Sequence, residues 1–307
     1  MPPKMPICSP VGLDEYKKTK SCFTIEALRE LASSWNRMNP NTQIANVPTL
    51  SRAALYTQLN NRLKPTCGTG RLKELKWIQQ LGGLSQNRVA SRFVMPPKPT
   101  DWDKNPHKWL NNYDINHILS RFEGDPKYPY KLLGVVPIDF QGTDSAGNAL
   151  YPELHKFDLS KYVGKYKFLG LITNLDTHEG PGTHWTSTFI GIDPSLPCFG
   201  AYYYDSTFTS RTDVHRVPPE IRKFFKMLKQ QADALPTPNA AHKFKRVFYK
   251  PSHQHQDTEC GMFSIFYQVH WLRTLIKDLN ATHKNIDKLK ITDEQAFKLR
   301  EFFFSTA

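Results

Sequence analysis

The sequence predicts an α+β protein with a helical, basic N-terminal third. Three observations carry that expectation. Amphipathic helical spacing dominates up to about residue 85. Short β-branched and aromatic runs bracketed by Gly, Pro and Asp begin at Leu132. Charge is uneven: Lys+Arg 41 against Asp+Glu 28 gives +13 overall, and the first 100 residues alone carry 15 basic and 5 acidic side chains.

Residues 1–20, rich in Pro and Lys, read as an arm or tail. From Thr24 a helix follows, with Ile25, Leu28, Leu31 and Ala32 on one face and Thr24 as its cap; Asn39-Pro40 stops it. A second helix starts near Ser51, places Ala54, Leu55 and Leu59 on one stripe, and ends before Pro65. A third runs from Arg71 to Leu81 and stops at Gly82-Gly83. That Gly-Gly-Leu is the pattern of a glycine helix stop, and also of a self-cleavage site. Residues 94–130, rich in Pro, Trp and Asn, read as an irregular wrap with one helix over 114–122. The boundaries drawn are 1–93 for the arm domain and 94–307 for the core domain.

The core should hold strands at Leu132–Val136, Lys167–Thr173, Trp185–Ile192, Phe199–Tyr204 and Phe244–Lys250. Helices should cover Pro218–Leu235, Cys260–Leu275 and Thr292–Phe304.

Composition excludes several classes. With 39% hydrophobic and 22% charged residues, a disordered or coiled-coil chain is excluded. No stretch reaches the roughly 20 apolar residues of a membrane-spanning helix, and the start MPPKMPICSP lacks the apolar run of a secretory signal. Five scattered cysteines form no C-x-x-C pair, which argues against a disulfide scaffold or a cysteine-rich metal site. A reduced, intracellular setting is therefore expected. His253 and His255 lack a surrounding ligand set, so no metal is expected. The basic N-terminal region suits DNA or another polyanion.

One ordered set of residues carries chemistry. His184 opens a strand after a Gly-rich turn, Asp205 follows a strand end 21 residues later, and Cys260 opens an apolar helix 55 residues beyond. A thiol needs ionisation to be a good nucleophile, which a nearby imidazole provides. A carboxylate on the other ring nitrogen fixes the tautomer. A helix N-terminus stabilises the thiolate further. Gly261 lets the chain approach a substrate closely. Gln254 and Gln256 are both candidate oxyanion donors beside the Cys260 backbone N–H.

The set His184-Trp185, Tyr204-Asp205-Ser206, and Gln254 six residues before Cys260-Gly261 resembles the catalytic pattern of SUMO proteases and the adenovirus protease. Glu259 stands where SUMO proteases usually carry Asp, and some viral relatives carry Asn at the position of Asp205. His253-Gln254, Thr258-Glu259-Cys260-Gly261 and Ile291-Thr292-Asp293-Glu294 are similar to the African swine fever virus protease. Ser21-Cys22-Phe23-Thr24, Trp35-Asn36, Asn39-Pro40, Trp109-Leu110-Asn111, Asp114-Ile115 and Phe122-Glu123 are also similar to thiol proteases of nucleocytoplasmic large DNA viruses.

The resemblance implies a papain-like cysteine protease core, a central mixed sheet flanked by helices, with a helical N-terminal arm domain. It implies a cysteine endopeptidase that needs no cofactor and cleaves viral precursor polypeptides, often after Gly-Gly, in the virion and host cytoplasm. Carried over, Cys260 is the nucleophile, His184 the base, Asp205 its orienter and Gln254 the oxyanion donor, in preference to Gln256. Trp185, Trp109 and Asn111 would line the substrate cleft. The rival expectations are an isopeptidase acting on ubiquitin-like conjugates, and a nucleic-acid-binding virion protein with a relic triad.

Overall fold

The computed structural model describes residues 7–70, 72–207, 217–235, 242–249, 251–288 and 290–305, without the side chains of residues 84 and 85. The chain forms two compact units, Met1–Thr100 with Arg300–Ala307, and Asp101–Leu299. The sequence boundary was drawn at 93/94, and the return of the C-terminus to the first unit has no local signal.

The first unit is helical. Helix Ile25–Met38 begins where the Thr24 side chain accepts the Ala27 N–H, and it buries Ala27, Leu28, Leu31 and Ala32. Helix Arg52–Cys67 is capped by Ser51 and buries Leu55, Leu59, Leu63 and Cys67. It does not end before Pro65. The proline lies within its last turn and removes one amide donor there, and the Gly68 N–H closes the helix on the Lys64 carbonyl. Helix Lys73–Gln80 buries Leu75, Trp77 and Ile78; Arg71, where its start was expected, lies outside the described residues. Gly82 and Gly83 take φ of 102° and 77°. The left-handed region favours glycine, as a helix stop requires.

Two expectations for this unit are corrected. The N-terminal arm is not a free tail: Ile7, Cys8 and Val11 are buried, the Ser9 N–H donates to the Phe93 carbonyl at 2.9 Å, and the Met95 N–H to the Ile7 carbonyl at 2.8 Å. A helix, Leu13–Thr19, follows. Three small apolar residues among prolines and lysines escape periodicity, because only a distant strand partner reveals them. The unit also contains a disulfide, Cys8–Cys22, which the scattered cysteines gave no reason to expect.

The second unit is built on five strands: β1 Tyr130–Pro137, β2 Phe168–Asn174, β3 Trp185–Gly191, β4 Gly200–Tyr204 and β5 Lys245–Tyr249. They lie in the order β1-β2-β3-β4-β5. β1 pairs parallel with β2 and β4 with β5, while β2–β3 and β3–β4 are antiparallel. Every residue of β2, β3 and β4 is buried, as both-face packing demands of continuous apolar strands.

Alternation divides each strand between two layers. Leu169, Leu171, Ile190 and Tyr203 join the cluster with Ile221, Phe224 and Phe225 of helix Pro219–Asp233. On the other face helix Cys260–Lys277 crosses β3. Trp271 stacks on Phe189 with ring centroids 4.7 Å apart. The Gln268 amide donates to Ser187 Oγ at 2.9 Å and to the Thr188 carbonyl at 2.7 Å. This packing fixes the start of the Cys260 helix against the start of β3, where His184 and Trp185 lie.

Candidate active site

Three chain segments converge. His184 precedes β3, Asp205 follows β4, which is antiparallel to β3, and Cys260 is the first residue of its helix. His184 Nε2 hydrogen-bonds Asp205 Oδ1 at 2.8 Å. Nδ1 is therefore the ring atom left for Cys260, whose side chain acts electrostatically on the imidazole.

The electrostatics follow from this contact set. Burial works against a charged imidazole. Side-chain hydrogen bonds with Asp205 and Cys260, and the charges of both, outweigh it and push His184 up to about 10. Burial would raise the Asp205 carboxyl, yet the His184 bond and charge, with Thr207, hold it below its ordinary value. Asp205 Oδ1 accepts three bonds at once: from His184, from the Thr207 N–H at 3.0 Å and from the Thr207 hydroxyl at 2.9 Å. Cys260 is 2% exposed. It lies where the free N–H groups of an 18-residue helix point.

Gln254 is buried in the loop leading to that helix. Its Oε1 accepts the Ser206 hydroxyl at 2.7 Å and its Nε2 donates to the Gln256 carbonyl. Backbone N–H groups of His253 and Gln254 both meet the Ser206 carbonyl at 3.0 Å. The Gln254 loop is thereby tied to the residue after Asp205. Gln256 is exposed. His253 contacts the Tyr204 hydroxyl through Nδ1 at 3.3 Å; burial first, then the charges of Lys290 and His255, push it down to about 4, so it is neutral at physiological pH. Among the described residues no group of three or more His, Cys, Asp or Glu is arranged to hold a metal.

Trp109, Asn111 and Trp185 line a single open cleft of about 390 Å³, together with Thr177, His178 and Gly180. Trp109 is 45% exposed. Trp185 braces the wall from behind, donating Nε1–H to the Leu110 carbonyl at 2.9 Å. Asn111 has a structural task as well: it caps helix Asn112–Leu119 in a reciprocal capping box with Asp114.

Gly261 differs from expectation. A Cβ there would lie 3.0 Å from Leu110 Cβ. Its bare backbone thus admits the Leu110 segment, which belongs to this chain, rather than a substrate.

Sequence reasoning missed His107. Its Nδ1 lies 3.5 Å from Glu259 Oε1, and its ring stacks on Phe297 with centroids 4.3 Å apart. The only sequence hint is its place two residues before Trp109.

Comparison with known proteins supplies the kinship. No protein-family model matches the chain. An Acanthamoeba polyphaga mimivirus protein named as a thiol protease is 25% identical over 288 residues, covering 87% of this chain and 85% of its own. The cysteine protease of African swine fever virus is 29% identical over 240 residues, covering 75% and 78%. A crystal structure of the African swine fever virus protease shares the fold with a TM-score of 0.53 at 20% identity, over 99% of this chain and 98% of that one.

The chain is a relative of viral cysteine proteases. It is thus a cysteine-type peptidase by kinship, built on a mixed five-stranded sheet with flanking helices and a helical N-terminal region. Among the described residues no helix is long and apolar enough to cross a membrane.

Proposed function

We propose that the chain is an endopeptidase that processes viral precursor polypeptides after Gly-Gly-X sites, through a Cys260 acyl-enzyme. One observation carries this reading: the His184 imidazole hydrogen-bonds Asp205 at 2.8 Å and lies close enough to the Cys260 side chain to be acted on by its charge.

The Cys260 thiolate attacks the scissile carbonyl. The charge that develops on oxygen meets the Cys260 N–H at the helix start and the Gln254 amide. That amide gives one hydrogen to Gln256 and carries a second. His184 donates its proton to the leaving amine, the C–N bond breaks, and a thioester remains. Water, deprotonated by His184, hydrolyses the thioester and restores the thiol. Asp205 holds the ring and stabilises the imidazolium. The cleft walled by Trp109, Asn111 and Trp185 would seat an extended chain. The basic first 100 residues would hold the enzyme on a polyanion such as DNA, in the virion and the viral factory of the host cytoplasm.

A second reading, an isopeptidase acting on ubiquitin-like conjugates, is favoured by the resemblance of His184-Trp185, Asp205 and Gln254…Cys260-Gly261 to SUMO proteases. A panel settles the choice: Gly-Gly-X peptides and viral precursor fragments against SUMO and ubiquitin conjugates, with Cys260→Ala as control. Cleavage of the precursors with the conjugates untouched is expected. Conjugate cleavage alone would hand the assignment to the isopeptidase, and full activity of Cys260→Ala would end both readings. Raising salt should release the enzyme from DNA; binding that ignores salt would contradict the polyanion contact.

A further inference from the structure

Residues 107–111 form a strap between the cleft and the start of the Cys260 helix. Three fastenings hold it. Leu110 packs on Gly261 so closely that a Cβ there would meet Leu110 Cβ at 3.0 Å. The Leu110 carbonyl accepts Trp185 Nε1–H at 2.9 Å. At the outer end His107 Nδ1 faces Glu259 Oε1 at 3.5 Å. Trp109, Leu110 and Asn111, which this strap carries, are one wall of the cleft.

The outer fastening is built unlike a surface pair. Glu259 is 1% exposed and precedes Cys260 in the chain. It occupies the N-cap position, yet its side chain makes no capping bond. Its Oε1 instead accepts the Thr258 hydroxyl at 3.3 Å and faces His107. The His107 ring is in turn held flat on Phe297.

We propose that His107 is a positioning residue, whose contact with Glu259 fixes the Trp109–Asn111 wall relative to Cys260 and so sets how tightly substrate is seated. The chemistry at Cys260 is left to the triad. This rests on the reading of Cys260 as nucleophile and of the cleft as the substrate site.

Two kinetic effects are distinguishable. Loosening a wall that touches substrate equally before and during reaction raises KM and leaves kcat alone. Loosening the helix start would instead lower kcat and slow alkylation of the free thiol.

The test uses the full chain and the Gly-Gly-X peptide that the wild type cleaves fastest. Variants are His107→Ala, His107→Gln, Glu259→Gln and the His107→Ala/Glu259→Gln pair. Each is read for kcat, KM, Cys260 alkylation by iodoacetamide, and thermal midpoint. His107→Ala should raise KM about threefold or more, with kcat and alkylation within about twofold of wild type. His107→Gln, which keeps an N–H for the carboxylate, should recover most of the loss. In the Glu259→Gln background, His107→Ala should add little, as expected of coupled partners. His107 is half exposed at 52%, so the fold should survive its replacement. An unchanged KM, a fall in kcat and alkylation together, or failure of Gln to rescue would each overturn the proposal. Failure of the reading beneath it looks different: Cys260→Ala would then still hydrolyse the peptide.

Discussion

Replacing Asp205 with Asn isolates the charge of the His184 partner from its geometry. All three bonds on the carboxylate converge on Oδ1, two of them from Thr207. Those two donors require an oxygen, so an asparagine is held with its carbonyl toward His184 and its amide away. The imidazole keeps its orientation and tautomer and loses only the negative charge. His184 stands at about 10 against an ordinary 6.5, a gap of about 3.5 pH units, or about 5 kcal/mol at 1.36 kcal/mol per unit. Asp205 and Cys260 both contribute to it. Removing the Asp205 charge takes away part of what raises the ring, so His184 should fall below its wild-type value.

A raised imidazole holds its proton below its own value and loses it above. The imidazolium should therefore be lost near pH 10 in the wild type and at a lower pH in Asp205→Asn. At pH 7 the variant should keep far more activity than Asp205→Ala, because the Thr207 donors still hold the partner of the ring in place. Asp205→Ala, which removes orientation as well, should lose about a thousandfold or more. The assay is kcat/KM and iodoacetamide alkylation across pH 5–11, with imidazole NMR to follow the ring. An alkaline limb that does not move, or an asparagine variant as damaged as the alanine one, would refute the Thr207 lock and the role of the charge.

Other consequences are equally open to measurement. Gln254→Ala should lower kcat about 100-fold or more with KM little changed, while Gln256→Ala, an exposed side chain, should stay near wild type; equal effects would misplace the oxyanion donor. Gly261→Ala should push Leu110 outward and disturb the cleft, since the added carbon meets Leu110 Cβ at 3.0 Å; a raised KM or lowered Tm checks it. Replacing both Cys8 and Cys22, 14 residues apart, with Ser should cost the first unit about 2–3 kcal/mol in denaturant unfolding, and an unchanged midpoint would deny that the bond stabilises it.

The sheet was readable because its strands are unmixed signals. Runs such as Phe168–Asn174 and Trp185–Gly191 are apolar, β-branched and aromatic, and are bracketed by turn residues. The triad candidates were readable for a related reason: each stands at the boundary of such a run. What escaped was chemistry made by distant pairing. The Ile7–Met95 and Ser305–Pro96 hydrogen bonds join residues far apart in sequence, and no local period encodes them. Cys8 and Cys22 pair across a separation of 14 residues that no spacing motif marks. His107 and Glu259, 152 positions apart, carry no motif. Pro65 misled for the opposite reason. A strong local rule against proline in helices was offset in a last turn, where one lost amide bond is all it costs.

The central claim is that Cys260 is the reactive thiol and that hydrolysis passes through it. Of the three free cysteines, Cys67, Cys198 and Cys260, burial pushes Cys198 up to about 12, and Cys67 donates to Gln80 Oε1 at 2.9 Å. One equivalent of iodoacetamide at pH 6, followed by peptide mapping and a peptidase assay on the same sample, tests the claim directly. A single label on Cys260 is expected, with loss of hydrolysis in proportion to labelling. Label spread over Cys67 and Cys198, or hydrolysis undiminished by a fully labelled Cys260, would contradict it.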